Sequence, residues 1–270
     1  MSTSTKKPFA KRSLGQNFLV DKNYIRKIID AVDPREVDTI IEIGPGRGAI
    51  TERLVDSGAN VIAIELDRDL VSLLRDQFRN SPNLHVVEAD ATQVNLVELT
   101  TNIPHSAPPI PQFKLVANLP YYISTAILQH LSTQRELFSS LILMFQKEVV
   151  DRITAKPGTS DRGFLTVLVE SSFHVEKLFD VPPNAFRPVP KVTSAVARLT
   201  PKPHVIEDEP FFRGLLSTAF AQKRKTILNN LKTRFPESTM VLERSGIEAS
   251  RRAESLSFEE WLRLYRAIDQ

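Results

Sequence analysis

The residues of this chain best placed to do chemistry are Asn118, Leu119, Pro120 and Tyr121. An asparagine side-chain oxygen and the Leu119 backbone carbonyl are two neighbouring hydrogen-bond acceptors. Proline fixes the local backbone so that both point one way. Two convergent acceptors fit a group with two hydrogens, such as the exocyclic N6 amine of adenine. That amine is a poor nucleophile, because its lone pair is delocalised into the ring. Paired acceptors help the nitrogen pyramidalise and direct the lone pair at an electrophilic methyl group. No strong base is required, since the proton becomes acidic once the methyl has moved. Holding the partners in line supplies most of the acceleration. Tyr121 offers the base a stacking surface. The same four residues also read as an ordinary turn, because Asn and Pro are turn formers.

A second group is glycine-rich: Glu42, Gly44, Pro45, Gly46, Arg47 and Gly48 follow an apolar run. Glycines there let the backbone turn tightly and approach a ligand. The pattern Gly44-x-Gly46-x-x-Ala49 also fits the dinucleotide fingerprint, so a nicotinamide cofactor and S-adenosylmethionine both remain open on this run alone. Glu65, at the end of the next apolar run, serves either cofactor as a carboxylate for ribose hydroxyls. Two charge-assisted hydrogen bonds there would contribute about 1.5–3 kcal/mol each. Asp90, after the third run, can accept from the amine of a cofactor's adenine, although Asp at a strand end is also a common helix cap. A dehydrogenase has no use for the Asn118 motif.

These residues need elements that bring them together. Near-continuous apolar runs at 39–43, 60–64, 84–88, 114–117 and 141–145 suit strands of a parallel sheet buried on both faces. Helical stretches lie between them. Asp67 can cap a helix in which Leu70, Leu73, Leu74 and Phe78 recur at helical spacing. Residues 49–57 read as a helix ending at Gly58. The alternation implies βαβ units, with ligands at the carboxyl ends of the strands. Runs at 174–181 and 192–199 alternate more and are expected to pair antiparallel and close the sheet. Residues 101–113, with Pro104, Pro108, Pro109 and Pro111, read as an extended surface loop. Beyond Pro203 only helical spacing remains. The expected domains are 1–203 and 204–270, an α/β unit followed by a small all-helical one.

Composition narrows the classes. The chain has 270 residues, 41% of them hydrophobic, and no cysteine. Disulfide and thiolate-metal sites are therefore excluded, and the scattered histidines suggest no metal. The N-terminus lacks the apolar core of a secretory signal, and no apolar run approaches the roughly 20 residues of a membrane span. A soluble cytoplasmic protein fits. Net charge is +3, but the cations are clustered. Lys6, Lys7, Lys11, Arg12, Lys22, Arg26 and Lys27 face only Asp21 in the first 27 residues. Arg213, Lys223, Arg224, Lys225, Lys232 and Arg234 face no acid between 211 and 235. Such clusters suggest an anionic partner; solubility alone is the plainer explanation.

Five segments together resemble one family, the small-subunit (16S-type) ribosomal RNA dimethyladenosine transferases. They are 15–19 (GQNFL), 42–48 (EIGPGRG), 118–124 (NLPYYIS), 146–149 (QKEV) and 181–190 (VPPNAFRPVP). The resemblance runs from about Lys11 to the C-terminus, and the order and spacing of the five are highly specific. It implies a Rossmann-like class I methyltransferase sheet with a small helical C-terminal domain. It implies S-adenosylmethionine as cofactor, with Asn17 and Leu19 closing over its methionine end and Gly44, Gly46, Glu65, Asp90 and Asn118 lining its pocket. Phe186 would stack on the target base opposite Tyr121. The implied substrate is a pair of adjacent adenosines in a hairpin loop near the 3′ end of small-subunit rRNA, within a pre-ribosomal particle, and the protein would act as a monomer. Lys11, Arg12 and a helix carrying Lys223, Arg224 and Lys225 would contact RNA phosphates. The proline-rich stretch at 101–113 is longer than the family leads one to expect. The rival readings are an erythromycin-resistance-type enzyme acting on large-subunit rRNA and a non-catalytic ribosome-assembly factor on the same fold.

Overall fold

A computed structural model of the chain describes residues 10–11, 14–101, 112–120 and 123–268. Its strands are β1 (Phe18–Leu19), β2 (Thr39–Ile43), β3 (Asn60–Glu65), β4 (Leu84–Glu88), β5 (Phe113–Asn118), β6 (Phe138–Gln146), β7 (Phe173–Val181), β8 (Phe186–Arg187) and β9 (Ser194–Pro201). Seven of them form one sheet in the order β4-β3-β2-β5-β6-β9-β7. Neighbours from β4 through to β6 run parallel, and β9 is antiparallel to β6. All five expected strand runs are present, and the later pair closes the sheet.

The parallel strands are apolar on both faces because helices cover both. Ile40, Ile41, Val61, Ile62, Leu115 and Val116 are fully buried. The helix Lys22–Val32 contributes Ile25, Ile28 and Val32 to a cluster with Ile40, Val61, Val116 and Ile142. Its first turn is capped by the Asp21 side chain, which accepts from the backbone N–H groups of Asn23 and Tyr24. The helix Arg68–Gln77 is capped by Asp67, as its sequence suggests.

Register places the chemistry. Ile43 of β2 pairs with Ile64 of β3 and with Ala117 of β5. Gly44, Glu65 and Asn118 are each the next residue, so all three stand level at the carboxyl edge. The chain winds outward from β2 through β3 to β4, then crosses back to place β5 on the other side of β2. That reversal opens a crevice above β2, where doubly wound sheets bind ligands.

The chain divides into two compact units, Met1–Val150 with Glu176–Pro201, and Asp151–Val175 with Lys202–Gln270. The expected boundary near 203 therefore misses one segment, 151–175. The reason lies in the helix Phe164–Ser172, which is buried nearly all round. Its Val167 and Leu168 join Phe212, Leu215, Leu242, Trp261 and Leu264 in the core of the second unit. Among the described residues no helix is long and apolar enough to cross a membrane. Residues 102–111 of the expected proline-rich loop lie outside the described residues; the flanking elements are the helix Leu96–Thr101 and β5.

Candidate active site

The crevice is a cleft with about 810 Å³ of empty space, part of it open to solvent. Its lining brings together Gly44 and Gly46 from the loop after β2, Glu65 from β3, Asp90 after β4, and Asn118, Leu119 and Pro120 at the end of β5. Residues 14–18, far away in sequence, line it too.

Glu65 organises this cleft. Its Oε2 accepts from the Gly46 N–H at 3.2 Å, and its Oε1 accepts from the N–H groups of Leu66 and Asp67, each at 2.9 Å. Burial raises its carboxyl above the ordinary range, while those backbone N–H groups pull it back down. Gly46 sits at φ +60°, and a Cβ there would stand 3.0 Å from the Phe18 ring. Glycine is therefore required both by the backbone and by the segment lying across it.

That segment is latched. Asp67 is buried, and its Oδ1 pairs with Lys11 Nζ at 2.6 Å, while its Oδ2 accepts from Gln16 Nε2 at 2.9 Å. Lys11 also pairs with Asp69 at 2.6 Å, and its backbone N–H donates to Gln16 Oε1 at 2.7 Å. Burial pushes the Asp67 carboxyl up, but the bonds from Lys11, Gln16 and the Asp69 N–H outweigh it and hold it below its usual range. Those two carboxylates raise the Lys11 ammonium. Lys11 is thus engaged in holding residues 14–18 over the cleft, which corrects its expected place on an RNA phosphate.

Asn118 is positioned by the same segment. Its Nδ2 donates to the Asn17 carbonyl at 3.1 Å. Only the amide nitrogen can serve that acceptor, so Oδ1 is left as an acceptor in the cleft. Asp90 is partly used as a turn former: its Oδ1 accepts from the Thr92 N–H at 2.8 Å and the Thr92 hydroxyl at 2.7 Å. Its Oδ2 has only a 3.5 Å contact with Gln93 Nε2, which leaves one oxygen for a ligand amine. Tyr121 and Arg12 lie outside the described residues.

Three other expectations are met differently. Leu19 does not line the cleft; Phe18 does. β1 pairs antiparallel with β8, Phe18 opposite Arg187 and Leu19 opposite Phe186. Paired residues share a face of such a ribbon, so Phe18 and Arg187 share one and Leu19 and Phe186 the other. Leu19 and Phe186 pack together into the core with Ile25, Val181 and Val196. Phe186 is 1% exposed and would have to leave this cluster to stack on a base. Last, Lys223, Arg224 and Lys225 lie not on a helix but in the turn between the helices Glu209–Ala219 and Ile227–Leu231. Thr226 there caps the second helix, its hydroxyl accepting from the Asn229 N–H. Lys223 Nζ donates to the Ser160 carbonyl, and all three side chains are exposed.

Three residues contribute in ways that a sequence reading of the site does not give: Gln16, Asp67 and Glu42. Glu42 lies on β2 behind the glycine loop, 2% exposed, and its Oε2 accepts from the Thr51 hydroxyl at 2.6 Å. Burial pushes its carboxyl up to about 7, the Thr51 bond opposes that, and nearby Glu65 adds to it. Its position before a glycine run is visible in the sequence; its burial is not.

The donor set fits an adenosine-bearing sulfonium cofactor. Glu65 can take ribose hydroxyls, Asp90 an amine, and the glycine loop leaves room beside Asn118. Sheet order, switch-point cleft and donors together define a Rossmann-like S-adenosylmethionine-dependent methyltransferase. A solved dimethyladenosine transferase from Plasmodium falciparum shares this fold with a TM-score of 0.77 and 29% identity, over 92% of this chain and 95% of that one. The solved 23S rRNA methyltransferase ErmE gives 0.69 and 27%, over 94% and 100%. The chain belongs to the ribosomal RNA adenine dimethylase family, whose model matches residues 9–270. It is 43% identical to the ribosomal RNA small subunit methyltransferase A of Geobacter metallireducens, over 96% of this chain and 95% of that protein.

Two outcomes are expected of this geometry. Lys11→Ala releases the latch and should weaken S-adenosylmethionine binding about three- to tenfold, because a pre-formed wall must now be ordered on binding. Calorimetry checks this; unchanged affinity would assign the latch to stability alone. For Glu42 the folded-state value exceeds the unfolded one, so its contribution is fully present below about pH 4 and is lost as pH rises through about 7. The shift corresponds to roughly 3 kcal/mol. Glu42→Gln should therefore gain stability over the parent between pH 5 and pH 8.5. Thermal unfolding curves that stay parallel across that range would contradict it.

Proposed function

We infer that this protein methylates N6 of two adjacent adenosines in a hairpin loop near the 3′ end of small-subunit rRNA, giving N6,N6-dimethyladenosines. We place it in the cytoplasm, acting as a monomer on a pre-ribosomal particle during small-subunit biogenesis. The observation that carries the reading is the level placement of Gly44, Glu65 and Asn118 at the switch point, with the Asn118 amide nitrogen tied to Asn17. A cofactor held by the first two then lies beside an acceptor suited to an amine. The curated relative named for the small subunit, at 43% identity, favours that rRNA over the large-subunit substrate in the name of ErmE.

S-adenosylmethionine supplies an electrophilic methyl group when bound. The protein's share is orientation and exclusion of water. Asn118 Oδ1 and the Leu119 carbonyl accept the two amine hydrogens and turn the nitrogen lone pair toward the methyl. Pro120 fixes the backbone between them and the next residue. Because a paired adenine hides its amine, the base must leave its stack before transfer, and Tyr121 gives it a new stacking face worth roughly 1–3 kcal/mol. Gly44, Gly46, Glu65, Asp90 and Asn17 hold the cofactor. Lys223, Arg224 and Lys225 contact phosphates, which fixes register without reading sequence.

Mass spectrometry of rRNA from cells lacking the protein should show the loss of two neighbouring dimethyladenosines from the small subunit. Loss of a mark from the large subunit instead would transfer the reading to the erythromycin-resistance type. Single-turnover transfer by Asn118→Ala, at saturating RNA and cofactor, should be slower by about a hundredfold or more, since an orienting acceptor is removed from the reacting nitrogen. A normal rate would return the motif to its reading as a turn.

A further inference from the structure

We propose that the groove between the helices Lys22–Val32 and Thr51–Asp56 binds backbone phosphates of the RNA that flanks the target nucleotide. The proposal rests on the rRNA-methylating reading and adds a second contact surface to it. Lys22, Asn23, Arg26, Ile29 and Arg53 line this groove, which holds about 780 Å³ of empty space continuous with solvent. Lys22, Arg26 and Arg53 are exposed.

What sets this groove apart is a lining with three cations and no carboxylate. Lys11, Arg35, Arg68 and Lys114 in the same unit are all paired, at 3.0 Å or less. Among the described residues Lys22, Arg26 and Arg53 make no ion pair, although Glu52 and Asp56 flank Arg53 on its own helix and Asp30 follows Arg26 on the other. Arg26 Nη2 instead donates to Asn23 Oδ1 at 2.8 Å, which fixes its guanidinium at the groove wall. Lys22 and Arg26 are four residues apart and therefore share one helix face, with Arg53 across from them on the second helix. Three like charges around one concavity repel one another until an anion lies between them.

Position selects the anion. Lys22 follows β1 closely in the chain, and Phe18 of β1 lines the cleft. Four residues separate Phe18 from Lys22, so the groove begins within about 14 Å of the cleft edge. On the other side of Phe18 stands its ribbon partner Arg187, also exposed. A track of separated cations suits a repeating polyanion better than one compact ligand.

The test uses the full-length protein and unmethylated small-subunit rRNA. Each phosphate contact contributes about 0.7–0.9 to the slope of log affinity against log salt. Replacing Lys22, Arg26 and Arg53 together by Ala should lower that slope by about two units and weaken binding at low salt about ten- to a hundredfold. S-adenosylmethionine affinity should stay unchanged, which shows that the variant is folded. Charge reversal at the same positions should deepen the loss. Neutralising Lys223, Arg224 and Lys225 as well should lower the slope further. A parent protein that methylates the rRNA, paired with a variant of unchanged slope, would overturn the groove alone. A parent that does not methylate it would overturn the underlying reading, and the groove with it. Lost binding to phosphatidylserine vesicles with RNA binding intact would overturn it too, by assigning the cations to a lipid surface.

Discussion

A carboxylate buried at the end of a strand needs hydrogen-bond donors, and Glu65 finds three in the backbone around it. One comes from the glycine loop after β2 and two from the turn after β3, so one side chain ties both walls of the cleft. The turn it fixes presents Asp67. Asp67 in turn holds Lys11 and Gln16, and with them the segment 14–18 across the opening. The carbonyl of Asn17 in that segment holds the amide of Asn118. The glycine loop, the covering segment and the Asn118 amide thus hang on one connected set of bonds. Such networks make an active site stiff where the chemistry needs geometry.

Most of the frame is legible in the sequence. Strands buried on both faces leave long apolar runs, and β2 to β6 are evident from those alone. The cleft follows from where the runs end, since Gly44, Glu65 and Asn118 each stand one residue past a paired apolar position. What escapes depends on pairings between distant segments. Nothing in residues 10–19 says that Lys11 will meet Asp67 rather than a phosphate. Nothing in 181–190 says which of Phe186 and Arg187 faces inward; that is settled by the two-residue ribbon with β1, which turns Leu19 and Phe186 together into the core. The segment 151–175 is hard to assign because its helix is buried nearly all round and carries no mark of which core it will join. The basic turn at 223–225 reads as helix because the spacing of Phe220 and Ile227 around it suits one, yet Thr226 starts a new helix.

The site also carries a destabilising group. Glu42 lies buried on β2 behind the glycine loop, with a carboxyl raised to about 7, close to the more exposed Glu65. A wholly apolar residue would suit the sheet better. Glu65 lines the cleft and Glu42 lies buried behind it on the adjacent strand, so loss of the Glu42 proton makes the field at that end of the cleft more negative. Stability and attraction for a cation therefore change in opposite directions with pH at this one position.

The most direct test of the central role of Glu65 is calorimetric binding of S-adenosylmethionine to Glu65→Gln. The substitution keeps the shape of the side chain but removes its charge and sets an NH2 group against backbone N–H groups. Affinity should fall at least about tenfold, since a charge-assisted bond contributes roughly 1.5–3 kcal/mol, while the unfolding transition remains cooperative. Affinity within about twofold of the parent, in a protein just as well folded, would contradict the idea that the Glu65 carboxylate holds the cofactor and ties the cleft walls together.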